Sequence, residues 1–154
     1  MVIFMPLPSD EEIKAFEDSV LQRTYRFTNR ALIREALQGS SLFNPGGNKV
    51  LALADDATLR QILVDQGRDR NKSPEEIQNV ITKVASNNNL NDQGVALGLD
   101  PFIGKNPGQW GLVAGRNVMA TTMEAIIGAV RYDSNKNGDD CERVMAALGL
   151  SWFE

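Results

Sequence analysis

The chain contains no histidine. That absence removes serine–histidine and cysteine–histidine nucleophilic chemistry and any histidine-ligated zinc site. Cysteine is nearly absent too: Cys141 stands alone, so no internal disulfide framework forms and a reducing, intracellular compartment is expected. Basic charge is not in excess, because 16 Lys and Arg face 20 Asp and Glu, giving a net charge of −4 and an isoelectric point near 4.9. A dedicated nucleic-acid binder usually shows a basic footprint, so any such role here must rest on local clusters. Long apolar runs are missing as well. The most apolar stretch, 118–130, is too short for a membrane span and carries Glu124. Residues 1–8 are apolar but lack a basic leader and a cleavage-like site, so no signal peptide is expected, and a cytoplasmic location is favoured over a mitochondrial one. Chemistry, if any, rests on carboxylates, lysines, tyrosines, hydroxyls or an oxygen-held metal.

What is present is helical period. The 154 residues, 42% hydrophobic and 23% charged, suit one domain over 1–154, with 1–8 as an N-terminal extension. Ser9 and Glu12 form a capping box ahead of a stripe made by Ile13, Phe16, Val20 and Leu21. Thr28 or Asn29 caps a second helix that buries Leu32, Ile33, Ala36 and Leu37. A turn-rich segment, 39–47, leads to a long helix over 48–66 that is apolar on more than one face, which places it centrally or at an interface. Ser73 and Pro74 open a further helix with Ile77, Val80, Ile81 and Val84 inward. A short helix begins at 87, a loop spans 101–115 around Trp110, an apolar helix covers 118–132, and a turn at 133–140 precedes a last helix over 142–148. No alternating strand pattern occurs, so the expected class is all-α, a bundle of about seven helices.

Four stretches, in order, resemble the ribonuclease III endonuclease domain. Tyr25-Arg26-Phe27 with Leu32, Ile33, Glu35-Ala36-Leu37 and Ser40-Ser41 is similar to that family's opening helix, with Gln38 and Gly39 in place of its Thr-His pair. Asn48-Lys49-Val50-Leu51-Ala52-Leu53-Ala54-Asp55-Asp56 resembles the family signature Asn-Glu-Arg-Leu-Glu-Phe-Leu-Gly-Asp. Ser86-Asn87, Leu90, Gly94, Leu97-Gly98-Leu99 and Ile103 look like the segment between the catalytic helices. Met119-Ala120-Thr121-Thr122-Met123-Glu124-Ala125-Ile126-Ile127-Gly128-Ala129-Val130 is similar to the second family motif, with Tyr132-Asp133 as its tail. The Glu-Ala-x-x-Gly-Ala piece is moderately specific, and the ordered set is more specific than any one part.

The resemblance implies a Mg²⁺-dependent cut of double-stranded RNA, with the ion held by two carboxylates on each of two facing helices. Carried across residue by residue, that set is half present. Asp56 and Glu124 occupy ligand positions, Ala52 and Thr121 replace the other two acids, and Lys49 replaces the signature's first Glu. Lys49, Ala52 and Asp56 share a helix face by spacing, so the Lys49 ammonium is expected to neutralise Asp56 and Glu124 in place of a metal. Asp55 stands where the family has Gly. Adjacent helical residues point about 100° apart, so Asp55 is expected to lie away from the site and to serve as a ligand only by reaching round the helix.

Three functions follow from this mixture. The first is a catalytically impaired or inactive ribonuclease III-like domain working as an RNA-related binding or scaffolding dimer, and the enzyme reading therefore leans towards none. The second is an active Mg²⁺-dependent endoribonuclease with an altered site. The third is a structural homodimer without an RNA role, which the acidic charge favours. The expected partners are a second copy through the helix over 48–66 and, weakly, duplex RNA, since no basic RNA-binding domain is expected after residue 154. Arg23, Arg26, Arg30 and Arg34, and the group Arg68, Arg70 and Lys72, read as solubilising surface ahead of phosphate contacts. Trp110 and Trp152 read as packing anchors, and Cys141 as a buried spectator.

Overall fold

The structure is a computed structural model that describes residues 7–39, 46–104 and 112–153. Ser40, Ser41, Trp110 and most of the N-terminal extension lie outside those residues. Seven α-helices follow one another: α1 Asp10–Ser19, α2 Arg30–Ala36, α3 Lys49–Asp69, α4 Pro74–Val84, α5 Asn87–Ala96, α6 Arg116–Asp133 and α7 Gly138–Ala147. A 3₁₀ turn, Asp100–Phe102, sits between α5 and α6. Among the described residues the one β-type pairing is an isolated bridge between Gln38 and Gly104. The all-α expectation and the helix count hold.

Local sequence explains most helix starts. Ser9 accepts from Glu12 N while the Glu12 carboxylate reaches back, completing the capping box. Asn29 rather than Thr28 caps α2, and Ser73 caps α4 ahead of Pro74. Three boundaries differ from expectation, the first being the end of α3, which runs on from 66 to Asp69. Helix α6 begins at Arg116, and α7 begins at Gly138, inside the segment read as a turn. The reason is that Asn137, Asp139 and Asp140, residues common in turns, here serve a helix N-terminus. Asn137 accepts from Asp140 N at 3.0 Å, and the two aspartates meet the positive end of the helix dipole.

The core is organised around α6, which is mostly apolar from Met119 to Val130, with Thr121, Thr122 and Glu124 as exceptions, and buried along most of that length. A helix with so little polar surface must be largely surrounded, and α6 packs against α2, α3, α5 and α7, most extensively against α3. Gly128 sets the distance to α3: a β-carbon there would stand 2.0 Å from the Leu51 carbonyl oxygen. Gly94 on α5 plays the same part opposite the Met119 sulfur. Asn48, at the start of α3, does not cap its own helix. Its side-chain amide is buried and donates to the Ala36 carbonyl at 2.8 Å and to Thr122 Oγ1 at 3.1 Å, joining α2, α3 and α6.

The arginines of the α2 region are committed to ion pairs with α1. Arg26 bonds Glu17 and Asp18, Arg30 and Arg34 both meet Asp10, and Arg23 lies 3.7 Å from Asp18. Glu17 is buried and accepts the Phe27 amide at 2.6 Å. Asp133, at the end of α6, accepts the Tyr25 hydroxyl at 2.6 Å and the amides of Thr28 and Asn29, which fastens the α1–α2 connection to the central helix. No helix among the described residues is long and apolar enough to cross a membrane.

Candidate metal centre

The close packing of α3 on α6 creates the candidate site. On α3, Ala52, Asp55, Asp56 and Leu59 fall at spacings of three, four and seven, so they form one stripe along the seam with α6. Glu124 projects from α6 into the same seam, half-buried. One carboxylate oxygen from each of Asp55, Asp56 and Glu124 lies within 4.8 Å of the others. A cavity of about 220 Å³ opens beside them, walled by Leu59, Arg60, Ile81, Ala85 and Leu90.

The structure brings Asp56 and Glu124 together, as the sequence suggested, and it corrects two expectations. Asp55 does not point away. It is only 1% exposed and faces α6 directly, while Asp56, a third of a turn further on, flanks it at the solvent edge. The 100° between neighbours was right, but the site lies on the seam between their two directions rather than along that of Asp56 alone. Lys49, by contrast, does not neutralise the acids. It lines a separate cavity of about 230 Å³ with Gly39, Asn48, Asn117, Val118 and Thr121, and it forms no ion pair with Asp56 or Glu124 among the described residues. Along α3 it lies close to two turns before the acid cluster.

Burial governs the charge state of the cluster. Glu124 is pushed up to about 8, first by loss of water, then by its hydrogen bond to Asp56 and by the Asp56 charge. Asp55 is raised well above the ordinary carboxylate range, again mainly by burial, with Glu124 and Asp56 adding repulsion. Among the described residues no lysine or arginine forms an ion pair with either group. Arg60 lines the cavity, yet its guanidinium donates to Gln78 at 2.8 Å. Asp55 Oδ1 is buried with no hydrogen-bond partner.

These features suit a hard divalent cation. The donors are all oxygens, they converge from two helices, and an ion whose oxygen ligands stand about 2.0–2.6 Å away spans such separations. An unsatisfied buried carboxylate oxygen is itself an uncommon and costly feature that a cation would relieve. Sequence reasoning named Asp55 as a ligand only by reaching round the helix, and so missed its placement in the seam, as it did Arg60 at the rim. A signal for Asp55 was available, because an acid at that position interrupts the otherwise apolar stripe of Leu51, Leu59 and Ile62.

No protein-family model and no curated protein sequence matches the chain. Solved structures do. The nuclease domain of ribonuclease III from Campylobacter jejuni, in a structure concerned with flexibility in a region involved in dimer formation, is similar at a TM-score of 0.72. That likeness carries 16% identity and covers 86% of this chain and 94% of that one. A second structure of the same nuclease domain, at 2.2 Å resolution, gives a TM-score of 0.72 and 19% identity over 88% and 92% of the two chains. At such identities the likeness is one of architecture, and the chain has the fold of the ribonuclease III nuclease domain.

Proposed function

We propose that this chain is a ribonuclease III-like domain that binds duplex RNA as a homodimer and hydrolyses it weakly or not at all. The observation that carries the reading is the pairing of Asp56 on α3 with Glu124 on α6 at the mouth of one cavity, with Ala52 and Thr121 one turn away on the same helices. In the family that the motifs resemble, all four positions carry carboxylates. Here the methyl of Ala52 and the neutral hydroxyl of Thr121 offer a dication far less compensation for the water it sheds.

Asp56 and Glu124 would hold the ion between α3 and α6. When bound, a divalent cation polarises a phosphodiester oxygen and furnishes hydroxide at neutral pH. The chain's own residues do the rest. Asp56 lies at the solvent edge, where a phosphate backbone has access, and Leu59, Ile81 and Leu90 wall the cavity with apolar surface. Glu124 carries a proton near neutrality in the metal-free protein, and that proton must leave its carboxyl before the oxygen can act as a ligand. A second reading, an active nuclease with an altered ligand set, draws support from Asp55.

Incubation with long duplex RNA and Mg²⁺ or Mn²⁺ tests the proposal. The native chain is expected to shift the RNA in gels at low salt and to lose it as salt rises. Cleavage by the native chain is expected to be slow or absent, and to rise in the Ala52→Glu, Thr121→Asp double variant. Efficient, chelator-sensitive cleavage by the native chain, abolished in Asp56→Asn, Glu124→Gln, establishes the second reading instead. Absence of any gel shift at low salt removes RNA from the proposal.

A further inference from the structure

Asp55 is difficult to explain as a packing residue. A carboxyl on the buried face of α3, at 1% exposure, replaces what would otherwise be apolar contact with α6. Its Oδ1 has no hydrogen-bond partner, and no lysine or arginine pairs with it among the described residues. Leaving a polar atom in that state is costly, and the cost is highest for a group able to carry charge. Nearby polar groups that might have served are otherwise engaged: Thr58 Oγ1 donates to the Ala54 carbonyl, Thr122 Oγ1 to the Val118 carbonyl, and Arg60 to Gln78. What Asp55 does meet are two further carboxylates, each offering an oxygen within 4.8 Å. Three acids gathered with no described lysine or arginine paired to them, one of them buried and unsatisfied, make an incomplete arrangement.

We propose that Asp55 is a ligand of a divalent cation of the Mg²⁺ or Mn²⁺ class, forming with Asp56 and Glu124 a three-carboxylate seat that clamps α3 to α6. The inference rests on reading Asp56 and Glu124 as one site, and it adds a ligand and a second role. With Ala52 and Thr121 unable to draw the ion along the seam, Asp55 draws it inward, towards the helix interface. A cation held there bonds two helices whose contact forms the middle of the core. The ion then acts first on the fold: binding to the native state alone stabilises it in proportion to the logarithm of cation concentration.

Isothermal calorimetry and thermal unfolding on the full chain, with Mg²⁺ or Mn²⁺ as the titrant and chelator as the reference, test this without any RNA. The native chain is expected to give a saturable isotherm and a melting temperature that rises with cation. Asp55→Asn keeps the shape of the side chain, and its circular dichroism is expected to match the native chain. Its cation affinity is expected to fall by more than the roughly 10–100-fold that loss of an outer partner costs a metal site, and its melting temperature is expected to stop responding to cation. If Asp55→Asn binds as tightly as the native chain while Asp56→Asn or Glu124→Gln does not, the clamp is wrong and the two-residue site stands. If the native chain gives no isotherm, the metal reading of Asp56 and Glu124 falls, and the clamp with it. A normal isotherm lost in Asp55→Asn, in a protein that neither binds nor cuts duplex RNA, supports the clamp and removes the RNA role alone.

Discussion

Single residues decide the electrostatics of this domain, and their environments divide the acids into two groups. Asp10 and Asp18 lie on the surface beside arginines, and hydrogen bonds from Arg34 and Arg26 hold them below their ordinary value of 3.8. Glu124 and Asp55 lie in the α3–α6 seam, where loss of water raises them. The signs are opposite. A depressed carboxylate stabilises the fold above its unfolded value and withdraws that support as pH falls through its folded one. A raised carboxyl does the reverse, because the folded state holds the proton more tightly than the unfolded chain. For Glu124, support is therefore complete below about 4.5 and is lost as pH climbs towards about 8. In chelator, the melting temperature is expected to decline across that window, and Glu124→Gln is expected to flatten the decline. A melting temperature that climbs steadily through the window contradicts the assignment. The two acid populations act in separate ranges, since Asp10 and Asp18 matter only at and below 3.8. From the sequence, Asp56 and Glu124 were identifiable because they fall on motif positions. Asp55 was misjudged because one helix viewed alone has no seam, and the direction of the site depends on where α6 lies.

Elements were more legible than their ends and their contacts. Periodicity marks amphipathic helices well, which is why α1, α2 and α4 fall where Ile13, Phe16, Ile33, Val80 and Ile81 indicate. The start of α7 was obscured because Asn and Asp favour turns and helix caps for the same reason, a short side chain that accepts from nearby amides. What no periodicity reveals is interhelical distance, and here Gly128 and Gly94 help to set it. Gly128 allows the backbones of α3 and α6 to approach, whereas Gly138, at the first turn of α7, has open space around it. Gly128→Ala places its β-carbon against a backbone carbonyl, which cannot turn aside, so α3 or α6 must move. Overpacking of this kind costs about 1–3 kcal/mol, with the upper end expected here. At roughly 2–4 °C per kcal/mol for a chain of this size, calorimetry should resolve the drop. The same variant is expected to weaken cation binding, since it spreads the helices that bear Asp55 and Glu124. Gly138→Ala serves as the contrast, with a neutral or slightly raised melting temperature. Equal melting temperatures for the two variants would mean that α3 and α6 do not meet as described.

At the scale of the molecule, the outer face of α3 is an apolar surface that the packing of the described residues leaves uncovered. Val50 and Leu53 are 67% and 69% exposed, and Ala54 and Ala57 continue the stripe at helical spacing. The inner face of the same helix is spent on the core, through Leu51, Leu59, Ile62 and Leu63. That explains why the sequence showed α3 as apolar on more than one side while leaving open whether it was central or interfacial. One face is central and the other is apolar and exposed. An apolar stripe on a single helix can be covered by its own copy, because a two-fold axis sets each residue against its counterpart or near neighbour. The acidic chain opposes self-association in general, so a dimer needs an apolar, charge-free contact, and the stripe carries no charge between Val50 and Ala54. Leu53→Asp places a carboxylate in that contact from each subunit without touching the core. Analytical ultracentrifugation at micromolar concentration is expected to give a dimer for the native chain and a monomer for Leu53→Asp, with unchanged helical circular dichroism. A native chain that sediments as a monomer rejects the self-pairing of α3. A Leu53→Asp variant that remains dimeric moves the contact to another face. The acid cluster provides an internal control, because Asp55 lies on the opposite, buried side of α3, and cation binding by the monomeric variant is expected to persist.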